Sequence, residues 1–184
     1  MKPSPATGQP DAADTAALDP RARPLWAPWR MQFVAGPKTA GCFLCDKGAA
    51  APATDEEQLV IARGEHCYLL LNAFPYNSGH LLVAPYRHIA NLADLTAGEG
   101  QELMALTIRA QAVMTACMRP DGFNFGFNLG AAAGAGVPGH LHGHLVPRWT
   151  GDTNFMPVLG DTRVVPQALA DTARFLRQQW NKLP

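Results

Sequence analysis

The sequence predicts an α+β fold, a largely antiparallel sheet with one long helix and a C-terminal helix. Three observations carry that prediction. Short apolar runs follow one another with brief connections instead of alternating with helices, as in an antiparallel sheet. A Pro-free stretch from Ala97 to Met118 keeps a helical period. The chain, 184 residues with 47% hydrophobic and 16% charged side chains, has the size and composition of one globular domain.

In chain order, residues 1–24 combine Ala, Pro, Asp, Thr and Arg with no apolar period and read as a disordered leader. Residues 25–184 then form the domain, with an N-terminal arm and a C-terminal extension. The arm, Leu25 to Val34, contains Trp26, Trp29 and Phe33 and is expected to dock on the core or on a second subunit. Cys42 and Cys45 follow, and then an Ala-rich loop to about Asp55. Leu59 to Ala62, Tyr68 to Leu71 and Leu81 to Ala84 are apolar runs bounded by Gly, Pro, Asn or charge, and predict three strands. In the long helix Leu103, Leu106, Ala110, Val113 and Cys117 share one face. Thr96 with Glu99 predicts a capping box at its start, and Arg119 and Pro120 end it. Phe123 to Asn128 predicts a fourth strand and His140 to Val146 a fifth. Asp161 to Trp180 predicts the last helix, with Leu169, Phe175 and Leu176 inward.

Composition narrows the function. Fifteen basic side chains balance fifteen acidic ones, which argues against a nonspecific nucleic-acid binder. No apolar run approaches the ~18 residues of a membrane span, and the N-terminus lacks the layout of a secretion signal. Four cysteines, two of them spaced C-x-x-C, point to a metal or redox site in a reducing compartment, hence the cytoplasm. Cys67 and Cys117 read as core residues.

The chemistry concentrates in G-H-L-H-G-H-L-V-P-R-W, Gly139 to Trp149. Side chains of a strand alternate faces, so His140, His142 and His144 are expected on one side. Such a row suits either three metal ligands or a nucleophile flanked by helpers. Just before it, Asn128 to Gly139 is rich in Gly and Ala, which lets backbone N–H groups approach an anion. The loop has no G-K-[ST] ending and is not a P-loop. A phosphate held beside an imidazole is the natural combination, because neutral imidazole attacks phosphorus near neutral pH. C-x-x-C supplies half of a zinc site, and the other half must come from the fold.

These motifs resemble the histidine triad family, whose signature alternates histidine with apolar residues. The segment N-A-F-P-Y-N-S-G-H-L-L-V-A-P-Y-R-H, Asn72 to His88, is also similar to that family. L-W-A-P-W-R-M before the C-x-x-C and G-D-T-N-F-M-P-V-L-G after the triad resemble its bacterial diadenosine tetraphosphate phosphorylase-like branch. The resemblance implies a two-fold dimer of histidine-triad-like subunits and nucleotidyl transfer through a covalent adenylyl-histidine. His142 matches the nucleophile, and His144 and His80 match histidines that orient it and help bind phosphate. Asn72 matches a ribose contact. Asn128 and the loop Gly134, Ala135, Gly136 match the phosphate-binding turn. Cys42, Cys45, His88 and His140 match the ligands of a structural zinc. The implied partners are an adenine nucleotide or dinucleoside polyphosphate and inorganic phosphate, with neither nucleic acid nor membrane. Phosphate as the second nucleophile gives ADP, and water gives AMP. Two departures stand out: Gly143 replaces an apolar residue, and the loop has alanines where Gln, Ser or Thr are frequent, so anion binding would lean on backbone amides.

Overall fold

The structure, a computed structural model, describes residues 41–152 and 168–183. The expected leader, the aromatic arm, most of the G-D-T-N-F-M-P-V-L-G segment and the first residues of the expected C-terminal helix lie outside these. A short helix α1 (Phe43–Ala49) and a four-residue helix α2 (Asp55–Gln58) precede strands β1 (Val60–Arg63), β2 (Cys67–Leu71) and β3 (Leu81–Pro85). The long helix α3 (Ala97–Met118) follows, then β4 (Gly122–Phe127), β5 (Gly143–Arg148) and helix α4 (Leu169–Lys182). The five strands form one sheet in the order β1-β2-β3-β5-β4, and every neighbouring pair is antiparallel.

Both faces of β2 and β3 are buried, which is why they read as continuous apolar runs. Cys67, Leu69, Leu71, Leu81 and Val83 join Leu145 against Leu103, Ala110, Val113 and Met114 of α3 and Ala173, Leu176 and Trp180 of α4. On the opposite face Val60, Tyr68, Leu70, Leu82 and Ala84 pack on Leu44 of α1. The Tyr68 hydroxyl donates to the Leu44 carbonyl at 2.6 Å. Arg63 donates to the Gly48 and Lys47 carbonyls, capping α1 from β1. α1 therefore covers the sheet over β1 to β3. The same face of β5 carries His144.

Sequence and structure differ at four places. α1 replaces the first part of the expected loop, because Leu44 and the Arg63 cap hold a segment with too little period of its own. The last strand begins at Gly143 rather than His140. Pro85, whose neighbours on β3 pair with β5, has no N–H to extend the ladder, and the Leu141 N–H goes to the Ile89 carbonyl instead. α4 begins at Leu169, since Ala168 is extended (φ −58, ψ 140), and Pro166 is a signal against an earlier start. Cys117 is only partly buried at the edge of the core, whereas Cys67 is fully buried as expected. Gly143 meets side chains: an added Cβ would press on Val83 and the Phe125 and Phe127 rings at 3.1–3.3 Å.

Candidate active site

β5 and the residues just before it bring the histidines onto the face away from α3. His144 pairs with Leu82, whose side chain belongs to the α1 layer. His80, His140 and His142 are buried, and His144 is half-buried.

The protons of this row can be placed from its backbone partners. The Tyr76 N–H donates to His80 Nδ1 at 3.0 Å, and the Asn72 amide nitrogen approaches the same atom at 3.2 Å. Asn72 is oriented by the Phe74 N–H, which donates to its Oδ1. His80 Nδ1 is thus an acceptor, and its Nε2–H donates to His144 Nδ1 at 3.0 Å. That leaves the proton of neutral His144 on Nε2, next to Asn128 at 3.4 Å. The Tyr76 ring stacks on His80 with centroids 4.8 Å apart. His142 donates from Nδ1 to the His140 carbonyl at 2.7 Å, so its Nε2 carries the lone pair. Burial lowers the pKa of His142, which favours the neutral ring. The His142 and His144 rings lie 4.9 Å apart.

Two residues upstream of His142, at His140, the chemistry changes. The Sγ and ring-nitrogen atoms of Cys42, Cys45, His88 and His140 all lie within 4.8 Å of one another. His140 Nε2–H donates to the Pro85 carbonyl at 2.9 Å, which turns Nδ1 toward Cys42 at 3.2 Å. Such an outer hydrogen bond is the usual support of a ligating imidazole. Two thiols and two imidazoles suit zinc, and four protein donors leave no position for water. Burial, then the Cys42 neighbour, raises the Cys45 thiol pKa, a cost a bound cation would reverse.

The expected loop is less directly placed. The Gly134 N–H donates to Ala131 and the Ala135 N–H to Gly130. Asn72 here turns to His80.

Beside His144 a cleft of about 470 Å³ opens over β4 and β5. Its lining includes Tyr76, Asn124, Gly126, Asn128, Val146, Arg148 and Asp152. Sequence reasoning did not single out Tyr76, Asn124, Gly126, Arg148 or Asp152. Tyr76, Arg148 and Asp152 stand inside the quoted motifs without a role in their signatures, Asn124 and Gly126 lie outside them, and strand register sets Gly126 beside His144 and Asn124 near Arg148. Arg148 is held by Asp152 through two bonds of 2.6 and 2.7 Å.

Comparison with known proteins agrees with this geometry. A family model described as HIT domain matches residues 53–151. A protein of Mycobacterium tuberculosis named AP-4-A phosphorylase is 46% identical over 166 residues, 87% of this chain and 85% of that protein. A zinc-bound histidine triad family protein from Mycobacterium smegmatis superposes with a TM-score of 0.60 at 26% identity, covering 77% of this chain and 94% of that one. The NitFhit protein of C. elegans gives a TM-score of 0.54 at 25% identity, over 65% of this chain and 27% of that one. With more than half of the sequence inside the family model and a relative this similar across most of its length, the chain belongs to the HIT domain family.

Proposed function

We propose that this protein is a diadenosine tetraphosphate phosphorylase working through a covalent adenylyl-histidine. The observation that carries the chemistry is the 2.7 Å bond from His142 Nδ1–H to the His140 carbonyl, which leaves Nε2 as a fixed, unprotonated nucleophile. The relative named AP-4-A phosphorylase supports the substrate.

Nε2 of His142 attacks the α-phosphorus of diadenosine tetraphosphate. The N–P bond forms as the P–O bond to the next phosphate breaks, and ATP departs. An oxygen of inorganic phosphate then attacks the adenylyl phosphorus, breaks the N–P bond and yields ADP with free His142. The His142 proton stays on Nδ1 against the carbonyl, which steadies the positive charge on the adenylylated ring. His80 sets the tautomer of His144, whose Nε2–H donates to a phosphate oxygen. Asn128 and the loop Gly134 to Gly136 complete the phosphate contacts, with loop amides as donors. Asn72 serves the ribose once substrate draws it from His80.

Cys42, Cys45, His88 and His140 would hold zinc. Bound there, it ties α1, the segment after β3 and the start of β5 together and supplies no Lewis-acid chemistry. The protein is a homodimer in this reading. β4 is an edge strand of six residues with no charge, the kind that proteins cover, and Met104 and Ile108 stand exposed on α3. Free thiols as ligands fit the reducing cytoplasm. Among the described residues no helix is long and apolar enough to cross a membrane.

The test incubates the protein with diadenosine tetraphosphate, with and without phosphate. ADP plus ATP, made only with phosphate, is the expected result. AMP plus ATP regardless of phosphate would make it a hydrolase. Acid quench with labelled substrate should trap the adenylyl group on His142, and His142→Asn should lower turnover by roughly 10³-fold or more while nucleotide still binds. Label on His144 would overturn the assignment.

A further inference from the structure

The floor of the cleft is built by register. His144 sits opposite Gly126, Val146 opposite Asn124, and Arg148 opposite Gly122. Gly126 is unexplained by the fold. It is not among the positive-φ glycines, so the backbone does not require it. Among the described residues a Cβ there would meet no heavy atom within 4 Å, so their packing does not require it either. A glycine inside a strand weakens the strand, and valine is a better strand residue. What glycine does supply is open backbone directly beside His144.

Further along the same face, Asn124 Oδ1 accepts from Arg148 Nη1 at 2.9 Å, which leaves the Asn124 amide N–H groups to the cleft. The Arg148 charge is balanced by Asp152 at 2.6 Å. That end therefore offers hydrogen bonding with little net charge, which suits the hydroxyls and ring nitrogens of a nucleoside better than a terminal phosphate. Arg148 lies four residue steps along the strand from His144, about 13 Å at the usual rise.

We propose that this floor is the subsite for the departing half of the substrate. The polyphosphate crosses the bare backbone at Gly126, and the second nucleoside reaches Asn124 and Arg148. Gly126 is then a specificity-determining residue, kept open at a cost in strand stability. The proposal rests on the adenylyl-transfer reading and names which part of the same site takes the leaving nucleotide.

The experiment measures binding of diadenosine tetraphosphate and of AMP to the His142→Asn protein, with Gly126 kept or changed to Ala or Val. AMP occupies only the half that stays on the enzyme. Gly126→Val should weaken the dinucleotide about tenfold or more and AMP by less than about threefold, with the melting temperature kept or raised. Gly126→Ala should move the same ratio less, and serves if the valine variant does not fold. Asn124→Ala should also weaken the dinucleotide selectively. Equal losses for both ligands, or no loss for either, would overturn the subsite. Failure of the protein carrying His142 to form an adenylyl-histidine would strike the adenylyl-transfer reading instead, which the binding ratio does not measure.

Discussion

Glu99 is buried at the third position of α3, yet its carboxylate stays ionised. Arg87 donates to both its oxygens at 2.6 Å, and the Thr96 N–H and hydroxyl donate at 2.8 and 3.0 Å. Arg87 is the largest cause, with Thr96 behind it, of a pKa pushed down to about 2 from an ordinary 4.5. A depressed carboxyl stabilises the fold above its unfolded pKa and loses that contribution as pH falls through the folded one. The window here runs from about 4.5 down to about 2. Glu99→Gln should therefore lower the melting temperature near neutral pH by about 5 °C, and flatten its fall across that acid window. Thermal melts from pH 7 to 2 check both, and an unchanged acid slope would remove Glu99 from the account. The cap was legible in the sequence because Thr96 and Glu99 stand at capping-box spacing. Its second role was not, because nothing local marks Arg87 as a partner. The link matters for the site, since Arg87 adjoins His88 and is held through Glu99 on α3.

Among the elements, β2, β3 and α3 were readable because local signal and tertiary role agree. Apolar runs fill a sheet buried on both faces, and a 22-residue helix shows many periods. α1 was not, because a seven-residue helix containing Gly48 is stabilised from outside, by Tyr68 on the Leu44 carbonyl and by Arg63 on the Gly48 carbonyl. The start of β5 depended on a proline in another strand. Of the four candidate metal donors, Cys42 and Cys45 were legible from their spacing, but His88 and His140 only through the family resemblance, since 95 residues separate Cys45 from His140. The cleft floor was invisible, because Gly126, Asn124 and Arg148 become neighbours only by pairing. The open face of α3 is an element-scale feature with its own consequence. Ile108 is 61% and Met104 43% exposed, one turn apart. If this face and the β4 edge meet a second copy, Ile108→Glu buries a charge in the interface without disturbing α3, since Glu is a good helix former. Light scattering should then report two subunits for the unaltered protein and one for the variant, with the same helix content. A monomer before substitution, or a dimer after it, would discard the interface.

The whole molecule is tied together at the Cys42, Cys45, His88 and His140 cluster, where the start of α1, the turn after β3 and the approach to β5 converge within 4.8 Å. Without a cation, two thiols and a half-desolvated imidazole pair make a weak junction. Burial raises the Cys45 thiol pKa and lowers that of His140, so both remain neutral and attract little. Zinc held there would turn the thiols into thiolates and make the junction a strong closure of long chain loops. Protein purified without chelator should therefore contain about one zinc per chain. Cys42→Ser should lower the melting temperature by about 10 °C or more, at roughly 2–4 °C per kcal/mol for a chain of this size. The reaction should suffer less than the fold. His140 keeps a second anchor in its 2.9 Å bond to the Pro85 carbonyl, so its own carbonyl still receives the His142 proton. Adenylylation per folded molecule, measured by acid quench well below the transition, should stay within about tenfold of the unaltered protein. Protein without zinc, or a Cys42→Ser variant that melts unchanged, would show that the cluster is not the tie. A variant that melts low and loses adenylylation in parallel would show that Pro85 alone does not hold His140 in place.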